Sequence, residues 1–335
     1  MSQVRVGLFG CGGMGKALVN QMKTLDDAVL VAGADVAEAS RDAFATEYNV
    51  PVFASLTEML NGVELDATII AVPNSFHAPG TIESAQAGKH VFCEKPMALT
   101  LADCRAMIDA CKDAGVKLQI GQVLRYLPDF KKAIDLVVGG EIGVPLHGHI
   151  CRYGPPKARW AENHWRDDIS VVGHNLFEVS VHEIDFARCI FGKPVAVSGW
   201  DISFDPESPL WAQATTGVIE FESGGICILT EGNFNAIGRT EVELSGSGGS
   251  IRFSWGKEFT FKSLTADTSF TVPSSEIAEG VENGNRREIR EWIEAIQTGG
   301  PCTIPGEEGM ANIELALAIL ESSKRKQRIE LPLEG

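Results

Sequence analysis

Residues 4–15 read VRVGLFGCGGMG, and this stretch decides the fold of the first third of the chain. Its first half, Val4–Phe9, is an apolar run with the length and composition of a buried strand. The second half matches Gly-x-Gly-x-x-Gly and leads into a helical pattern at 14–23. The glycines allow a tight turn, close approach of a pyrophosphate to the backbone, and close packing of the helix. The stretch therefore predicts a dinucleotide-binding turn whose contact residues are Gly10, Gly12, Gly13 and Met14.

Strand and helix patterns alternate from this turn to about residue 121. Further apolar strands are predicted at 29–34, 67–72, 90–93 and 117–121, with helices between most of them. Parallel neighbours need crossover connections, so this alternation predicts a doubly wound parallel α/β sheet of the Rossmann type.

Asp35 stands at the end of the second strand, about as far from the glycines as a ribose-binding acid is expected. A carboxylate there can accept hydrogen bonds from the ribose diol and would repel a 2′-phosphate. The sequence therefore predicts NAD as the cofactor. NADP is the less favoured alternative, because Arg41 lies six residues further on and could reach a 2′-phosphate.

The pattern changes after about residue 125. Strand-like segments separated by Gly- and Ser-containing turns fill most of 144–262 and predict a large, mostly antiparallel open sheet. One helix, at 175–191, interrupts them, and two more close the chain. We therefore predict a Rossmann domain at 1–125 and an α+β domain for substrate binding and oligomerisation at 126–335, whose last helix is a candidate for packing back on the first domain. Gly246–Gly249 is interpreted as a hairpin turn, since no helix follows it.

The composition is that of a globular protein with a strongly acidic balance. Of the 335 residues, 29 are Lys or Arg and 45 are Asp or Glu, which gives a net charge of -16. Such a surface repels phosphate backbones and anionic lipid, so we expect neither nucleic acid nor membrane as a partner. The eight cysteines form no Cys-x-x-Cys pair, and neither a signal peptide nor a membrane span is readable. We expect reduced thiols and a cytoplasmic location.

Polar motifs follow two of the predicted parallel strands. The strand at 67–72 is followed by Pro-Asn-Ser-Phe-His at 73–77, and the strand at 90–93 by Glu-Lys-Pro at 94–96. Ligands of doubly wound sheets bind outside the carboxyl ends of the strands, so both motifs should border the nicotinamide. The cofactor-binding residues predicted from this edge are Pro73, Asn74, His77, Glu94, Lys95 and Gln122.

Together these motifs resemble the glucose–fructose oxidoreductase / inositol dehydrogenase / MocA (Gfo/Idh/MocA) family over essentially the whole chain. The resemblance rests on the glycine fingerprint, the Ala-Val-Pro-Asn-x-x-His run, Glu-Lys-Pro, and a later helix that carries His182. It implies a Rossmann domain followed by an α/β domain whose open sheet forms a homodimer or homotetramer. It also implies that Lys95 is the catalytic lysine and that a cis peptide precedes Pro96.

The family's second signature, Asp-x-x-x-His-x-x-Asp, is matched here by Glu178, His182 and Asp185. Oxidising a secondary alcohol needs a base for the hydroxyl proton, and the imidazole of His182 suits this role. The ammonium group of Lys95 would stabilise the developing alkoxide, and Glu178 would bind substrate hydroxyls or tune the histidine. The alternatives are a core histidine at 182 and a solvated loop lysine at 95.

Two departures from the family pattern concern the substrate. Glu178 replaces the usual Asp, and His174 stands where Gly is more common. His174, Glu178 and His182 are therefore spaced four residues apart along the chain. That spacing could bind a metal, but Lys95 should repel a cation, so no metal is predicted. Trp160 and Trp165 could stack on a sugar or anchor their loop, and Arg125 and Arg166 could form interdomain salt bridges instead. The predicted substrate-binding residues are Lys95, Arg125, Tyr153, Trp165, Arg166, Asn175, Glu178 and His182.

The resulting prediction is an NAD-dependent dehydrogenase of a sugar, inositol or related polyol. Two alternatives belong to other classes. One is an NAD-assisted glycosidase that oxidises a sugar transiently, and the other is a non-catalytic sensor of a sugar or dinucleotide.

Overall fold

The computed structural model describes residues 3–155, 165–204 and 213–333. The chain forms two compact units. The first comprises the chain up to Val123 together with Asn283–Ile313, and the second comprises Leu124–Glu282 together with the chain from Glu314 onward. The first unit is therefore made of two separate stretches of sequence.

The first unit contains the parallel sheet that the strand–helix alternation predicts. Its six strands lie in the order β3-β2-β1-β4-β5-β6, and every neighbouring pair is parallel. This order places β1 and β4 at the centre, where the chain changes direction across the sheet. The strands are β1 (Val4–Phe9), β2 (Ala28–Ala34), β3 (Val52–Phe53), β4 (Ala67–Ile70), β5 (His90–Cys93) and β6 (Leu118–Ile120).

Five helices connect these strands. They are α1 (Gly13–Met22), α2 (Glu38–Tyr48), α3 (Leu56–Gly62), α4 (His77–Gln86) and α5 (Leu101–Asp113). The sequence analysis missed β3 and α3, although Ser55 accepts a hydrogen bond from the Glu58 N–H as a typical helix N-cap. The short helix carries little periodic apolar signal, so its cap is the clearer sign of its start.

The second unit contains the mostly antiparallel sheet. Its nine strands lie in the order β14-β13-β12-β11-β7-β10-β9-β8-β15, and the β7–β10 pair is parallel. The predicted hairpin at 246–249 is confirmed, since β11 and β12 pair antiparallel on either side of it. The strands are β7 (Pro145–Tyr153), β8 (Pro194–Ser203), β9 (Gln213–Phe221), β10 (Ile226–Gly232), β11 (Arg239–Gly246), β12 (Gly249–Ser254), β13 (Glu258–Ser263), β14 (Phe270–Pro273) and β15 (Ile329–Glu330).

The remaining helices are α6 (Pro128–Val138), α7 (Ile169–Val172), α8 (Val181–Phe191), α9 (Ser274–Ile277), α10 (Gly284–Thr298) and α11 (Gly306–Arg325). Where the sequence predicts one helix at 175–191, the structure has a π-helical turn, Leu176–Ser180, that leads directly into α8. We call this segment the π-turn. Helix α11 packs so closely on β8 that a Cβ at Gly199 would lie 2.1 Å from the carbonyl oxygen of Ile319, so glycine is required there.

Helix α10 completes the hydrophobic core of the first unit. Ile289, Trp292 and Ile293 are buried in the same cluster as the apolar residues of β1 and α1. The Trp292 ring meets Phe92 of β5 edge-on, with 5.7 Å between ring centroids. A late segment of the sequence therefore closes a core that begins with the first strand.

All eight cysteines are free thiols. In the part of the chain that the structure describes, no helix has the length and apolar character needed to cross a membrane.

Candidate active site

The glycine turn between β1 and α1 has the geometry of a phosphate-binding site. A Cβ at Gly10, where φ is +104°, would lie 2.2 Å from the Ala71 carbonyl oxygen, and one at Gly15 would lie 2.1 Å from the Gly10 carbonyl oxygen. At Gly12 and Gly13, by contrast, a Cβ would meet nothing within 4 Å. Two glycines thus permit close packing, while two leave open space above the start of α1. No side chain caps this helix, so its first N–H groups suit a pyrophosphate.

The Asp35 carboxylate is fixed beside this turn. Its Oδ2 accepts a hydrogen bond from the Cys11 N–H at 2.9 Å, and its Oδ1 accepts one from the Ala37 N–H at 2.8 Å. Nη1 of Arg41 donates to the carbonyl oxygens of Asp35 and Val36 at 2.8 and 3.0 Å. Both oxygens of the carboxylate are therefore held by backbone N–H groups, and a guanidinium lies beside the same loop. Met14 is 43% exposed and offers an apolar surface at the helix start.

The carboxyl ends of β4 and β5 are tied together by His77. Its Nδ1 lies 2.6 Å from the Pro96 carbonyl oxygen, and its Nε2 lies 2.8 Å from the Val72 carbonyl oxygen. The ring is buried, as are the side chains of Asn74 and Gln122. His77 therefore holds the segment after Pro73 against the Glu-Lys-Pro motif, and the Lys95–Pro96 bond is cis, as the family resemblance implies.

Lys95 lies two residues after the end of β5, and its backbone N–H donates to Oε2 of Glu94 at 3.1 Å. The Lys95 side chain is partly exposed, whereas Glu94 is buried. Glu288 of α10 is a neighbour that the sequence analysis missed. Burial raises the pKa of Glu288 well above its usual value, and the Glu94 carboxylate raises it further. The Glu288 carboxyl group therefore favours its protonated form.

The π-turn in the second unit carries Glu178, which is paired with Arg166. Nε of Arg166 donates to Oε1 of Glu178 at 2.7 Å, and the Arg166 guanidinium lies over the Trp165 ring at 4.1 Å from its centroid. Trp165 packs against Val172. Trp165, Arg166 and Glu178, three of the predicted substrate-binding residues, thus contact one another in sequence, with Arg166 in the middle. Trp160 lies outside the described residues.

The residues before the π-turn face the sheet. His174 and Asn175 are 7% and 2% exposed. Nε2 of His174 lies 3.3 Å from Oδ1 of Asp201 on β8, and Nδ2 of Asn175 donates to Oε2 of Glu231 on β10 at 2.6 Å. Both side chains thus lie against carboxyl groups of the sheet inside the second unit. No sequence signal identified Asp201 or Glu231, because each lies 27 or more positions from its partner.

These two carboxylates have shifted pKa values. Burial raises the pKa of Glu231 to about 7. Burial would also raise the pKa of Asp201, but hydrogen bonds from His174 and Thr215 keep it below its usual value. Two carboxyl groups close to one histidine are therefore driven in opposite directions.

Arg125 and Tyr153 also have partners within the second unit. Arg125 forms a two-pronged pair with Asp185, with both nitrogen–oxygen distances at 2.6 Å and the Asp185 side chain fully buried. The Tyr153 ring packs against Phe234, and burial raises the pKa of its hydroxyl.

His182 lies at the first turn of α8 and is partly exposed. Among the described residues, no cluster of three or more His, Cys, Asp or Glu side chains could hold a metal ion.

Comparisons with known proteins identify the family of the chain. The oxidoreductase family model for the NAD-binding Rossmann fold matches residues 4–122, and the model for its C-terminal alpha/beta domain matches residues 134–331. An uncharacterized oxidoreductase of Streptococcus pneumoniae is 32% identical over 257 residues, which cover 74% of this chain and 68% of the relative. The myo-inositol 2-dehydrogenase of Thermotoga maritima is 28% identical over 349 residues, covering 98% of each chain.

A solved structure shares the whole fold. The WlbA dehydrogenase of Bordetella pertussis, in complex with NADH and UDP-GlcNAcA, aligns with a TM-score of 0.89 at 22% identity and covers 99% of each chain. Both family models match in consecutive order, and together they span most of the sequence. The protein therefore belongs to the Gfo/Idh/MocA oxidoreductase family, and its glycine turn and Asp35 are part of that family's NAD-binding Rossmann fold.

Proposed function

We propose that the protein is an NAD-dependent dehydrogenase that oxidises a secondary alcohol of a sugar, inositol or related polyol. The observation that carries this proposal is the position of Lys95. It follows the carboxyl end of β5, in the sheet whose first turn is shaped for a dinucleotide, and strand ends of this kind are where such sheets bind their ligands. The full-length similarity to an enzyme named myo-inositol 2-dehydrogenase supports the substrate class.

The proposed chemistry divides between two side chains. His182 takes the proton of the substrate hydroxyl as the hydride leaves the carbon that bears this hydroxyl. The Lys95 ammonium donates a hydrogen bond to the hydroxyl oxygen, which develops negative charge. Bound NAD supplies the acceptor for the hydride. Acid–base help of this kind contributes about 10²–10⁴-fold to a rate, and a donor at a developing oxyanion contributes about 10²–10³-fold.

Cofactor choice follows from the acid beside the glycine turn. Asp35 presents a fixed carboxylate to the adenosine ribose, which favours a diol over a 2′-phosphate. We therefore propose NAD as the physiological cofactor. The carbonyl oxygens of Asp35 and Val36 already bind the Arg41 guanidinium, which reduces its availability to a 2′-phosphate.

Substrate recognition is assigned to the second unit, which holds the predicted substrate domain at 126–335 except for Asn283–Ile313. The Arg166–Glu178 pair presents balanced charges to hydroxyl groups, and Trp165 offers an aromatic face for sugar C–H surfaces. Arg125, Tyr153 and Asn175 support this region through internal contacts.

The decisive experiment is a screen of inositols, aldoses, other polyols and uronates with NAD or NADP, in which NADH or NADPH formation is followed at about 340 nm. Lys95→Met and His182→Ala should each lower kcat by at least about 100-fold while the Kd of NAD is unchanged. Wild-type turnover in either variant would refute its assigned role. Release of an aglycone without net NADH would identify a glycosidase, and sugar binding without turnover would identify a sensor.

We also propose that a second copy of the chain covers the open face of the nine-stranded sheet. Trp200 and Ile202 on β8 and Ile226 on β10 lie on one face and are 58%, 60% and 41% exposed. Isolated exposed apolar residues are ordinary, but three large ones on the same face of one sheet suit an interface. Trp200→Lys should shift the mass measured by light scattering towards that of a monomer. A wild-type monomer at micromolar concentration would reject the proposal.

A further inference from the structure

His174, two residues before the π-turn, organises the backbone of that turn. Nδ1 of His174 accepts the Leu176 N–H at 3.0 Å. The backbone oxygen of the same residue accepts the N–H groups of Phe177 and Glu178 at 3.0 and 3.1 Å. Helix starts leave their first N–H groups without backbone partners. Here the His174 ring supplies an acceptor for one of them.

The His174 ring is in turn positioned by the sheet. An Nδ1 atom that accepts a hydrogen bond leaves the proton of a neutral ring on Nε2. That nitrogen lies 3.3 Å from Oδ1 of Asp201, which also accepts a 2.6 Å hydrogen bond from the Thr215 hydroxyl. The carboxylate therefore favours the tautomer that the Leu176 N–H requires.

Asn175, the next residue, is also bound to a carboxyl group of the sheet, that of Glu231. The backbone N–H of Asn175 donates to Oε1 of Gln213 at 3.4 Å, and its side-chain amide donates to Glu231 at 2.6 Å. Asp201 and Glu231 belong to β8 and β10, which both pair with β9, and the residues they hold are consecutive. The start of the π-turn is therefore attached to the sheet at two adjacent points.

We propose that His174 and Asn175, held by Asp201 and Glu231, form a two-point clamp that positions the π-turn and therefore Glu178. A π-turn is less favourable than α-helix and is found mainly where function requires it, so it needs support from side chains. Glu178 lies inside this turn and Arg166 is bound to it, so displacement of the turn moves both charged groups. The four clamp residues are positioning residues. The link from the clamp to substrate binding rests on the proposed function above.

The test uses two substitutions at one position. In His174→Asn, the shorter side chain can still accept the N–H two residues ahead, as asparagine does in Asx-turns, but it cannot reach Asp201. His174→Leu removes the acceptor. His90→Leu is the matched control, because His90 Nδ1 accepts the Lys117 N–H at 2.9 Å at an unrelated place in the first unit.

The first measurement needs no substrate. Hydrogen exchange of the Leu176 amide, followed by NMR in protein labelled with ¹⁵N-leucine, should be about tenfold faster in His174→Leu, as expected for one lost hydrogen bond. His174→Asn should recover most of that protection, and His90→Leu should leave it unchanged. Unchanged exchange in His174→Leu would overturn the clamp, whether or not the protein oxidises any polyol.

The second measurement applies to the polyol that the screen identifies. His174→Leu should raise KM for that polyol at least about tenfold while the Kd of NAD stays the same, and His174→Asn should lie between it and the wild type. Faster exchange with an unchanged KM would reject the link to substrate binding. If no polyol is oxidised, the proposed function fails, while the exchange result still decides the clamp.

Discussion

Nε of Arg166 donates a 2.7 Å hydrogen bond to Oε1 of Glu178, so two residues predicted to bind substrate also bind each other. Their side chains are 29% and 11% exposed, so the pair is partly shielded from water. Each charge is neutralised by the other before any substrate arrives. The pair can donate and accept hydrogen bonds at hydroxyl groups, but it gives little net attraction for an anion.

This balance predicts a preference for neutral polyols over uronates. Glu178→Gln keeps an oxygen that can accept from Arg166 but removes the negative charge, so kcat/KM for a uronate should rise about tenfold relative to that for the neutral polyol. The measurement is a pair of competition assays on the wild type and the variant. An unchanged ratio would mean that Arg166 does not contact the substrate.

Cofactor preference should depend on Asp35. Asp35→Ser removes the carboxylate that faces the ribose, so the ratio of kcat/KM for NAD to that for NADP should fall about 10- to 100-fold, equivalent to one or two charged hydrogen bonds. Adding Arg41→Met should remove the part of the NADP gain that its guanidinium provides. Steady-state kinetics with both cofactors give the ratio, and equal ratios in wild type and Asp35→Ser would rule out this role.

Stability should depend on the buried carboxyl group of Glu231. Its pKa is about 7 in the folded protein, against an ordinary value of 4.5, so folding favours the protonated form. This contribution to the free energy of unfolding is fully present below the pKa that Glu231 has in the unfolded chain, and it is lost as the pH rises towards 7. At pH 8 the loss is at most about 3.5 kcal/mol, at roughly 1.4 kcal/mol for each pKa unit.

Glu231→Gln should therefore be more stable than the wild type at pH 8, and the difference should shrink at pH 5. Urea unfolding at both pH values measures it. Glu220→Gln is the control, because Arg328 lowers the pKa of that strand carboxylate and its loss should bring no gain at pH 8. A variant as stable as the wild type at both pH values would contradict the assigned titration.

The buried pair of Arg125 and Asp185 should matter for stability. Arg125→Met leaves the fully buried Asp185 carboxylate without its two-pronged partner, which costs about 3–5 kcal/mol in comparable pairs. Arg125→Met combined with Asp185→Leu should recover much of that loss, since no uncompensated charge remains. Thermal unfolding of the single and double variants decides this. A double variant no more stable than Arg125→Met would show that the pair has a role beyond charge compensation.

The Rossmann unit could be predicted closely from the sequence because its signals are local. The boundaries of β1 and β5 agree with those predicted, and the glycine turn and Asp35 occupy the expected places. Helix α3 and strand β3 were missed because a two-residue strand and a seven-residue helix are too short for a periodic signal.

The candidate site was less predictable because its contacts are long-range. Glu178 and His182 were expected on one regular helix, but an apolar pattern does not distinguish a π-turn from an α-helical one. Asp201 and Glu231 read as ordinary strand residues, and only the register of the sheet brings them to His174 and Asn175. Similarly, nothing in the sequence near Glu288 indicates that it lies beside Glu94.

The position of α10 in the sequence, after all six strands of the parallel sheet, has a consequence for biosynthesis. All six parallel strands are synthesised well before Trp292. The apolar side chains of Phe92 and its neighbours therefore stay uncovered in the nascent chain until α10 has been synthesised. Exposed apolar surface of this kind makes partly folded chains prone to aggregate and suited to chaperones. The core of the first unit therefore cannot be completed until the segment around Trp292 has been translated.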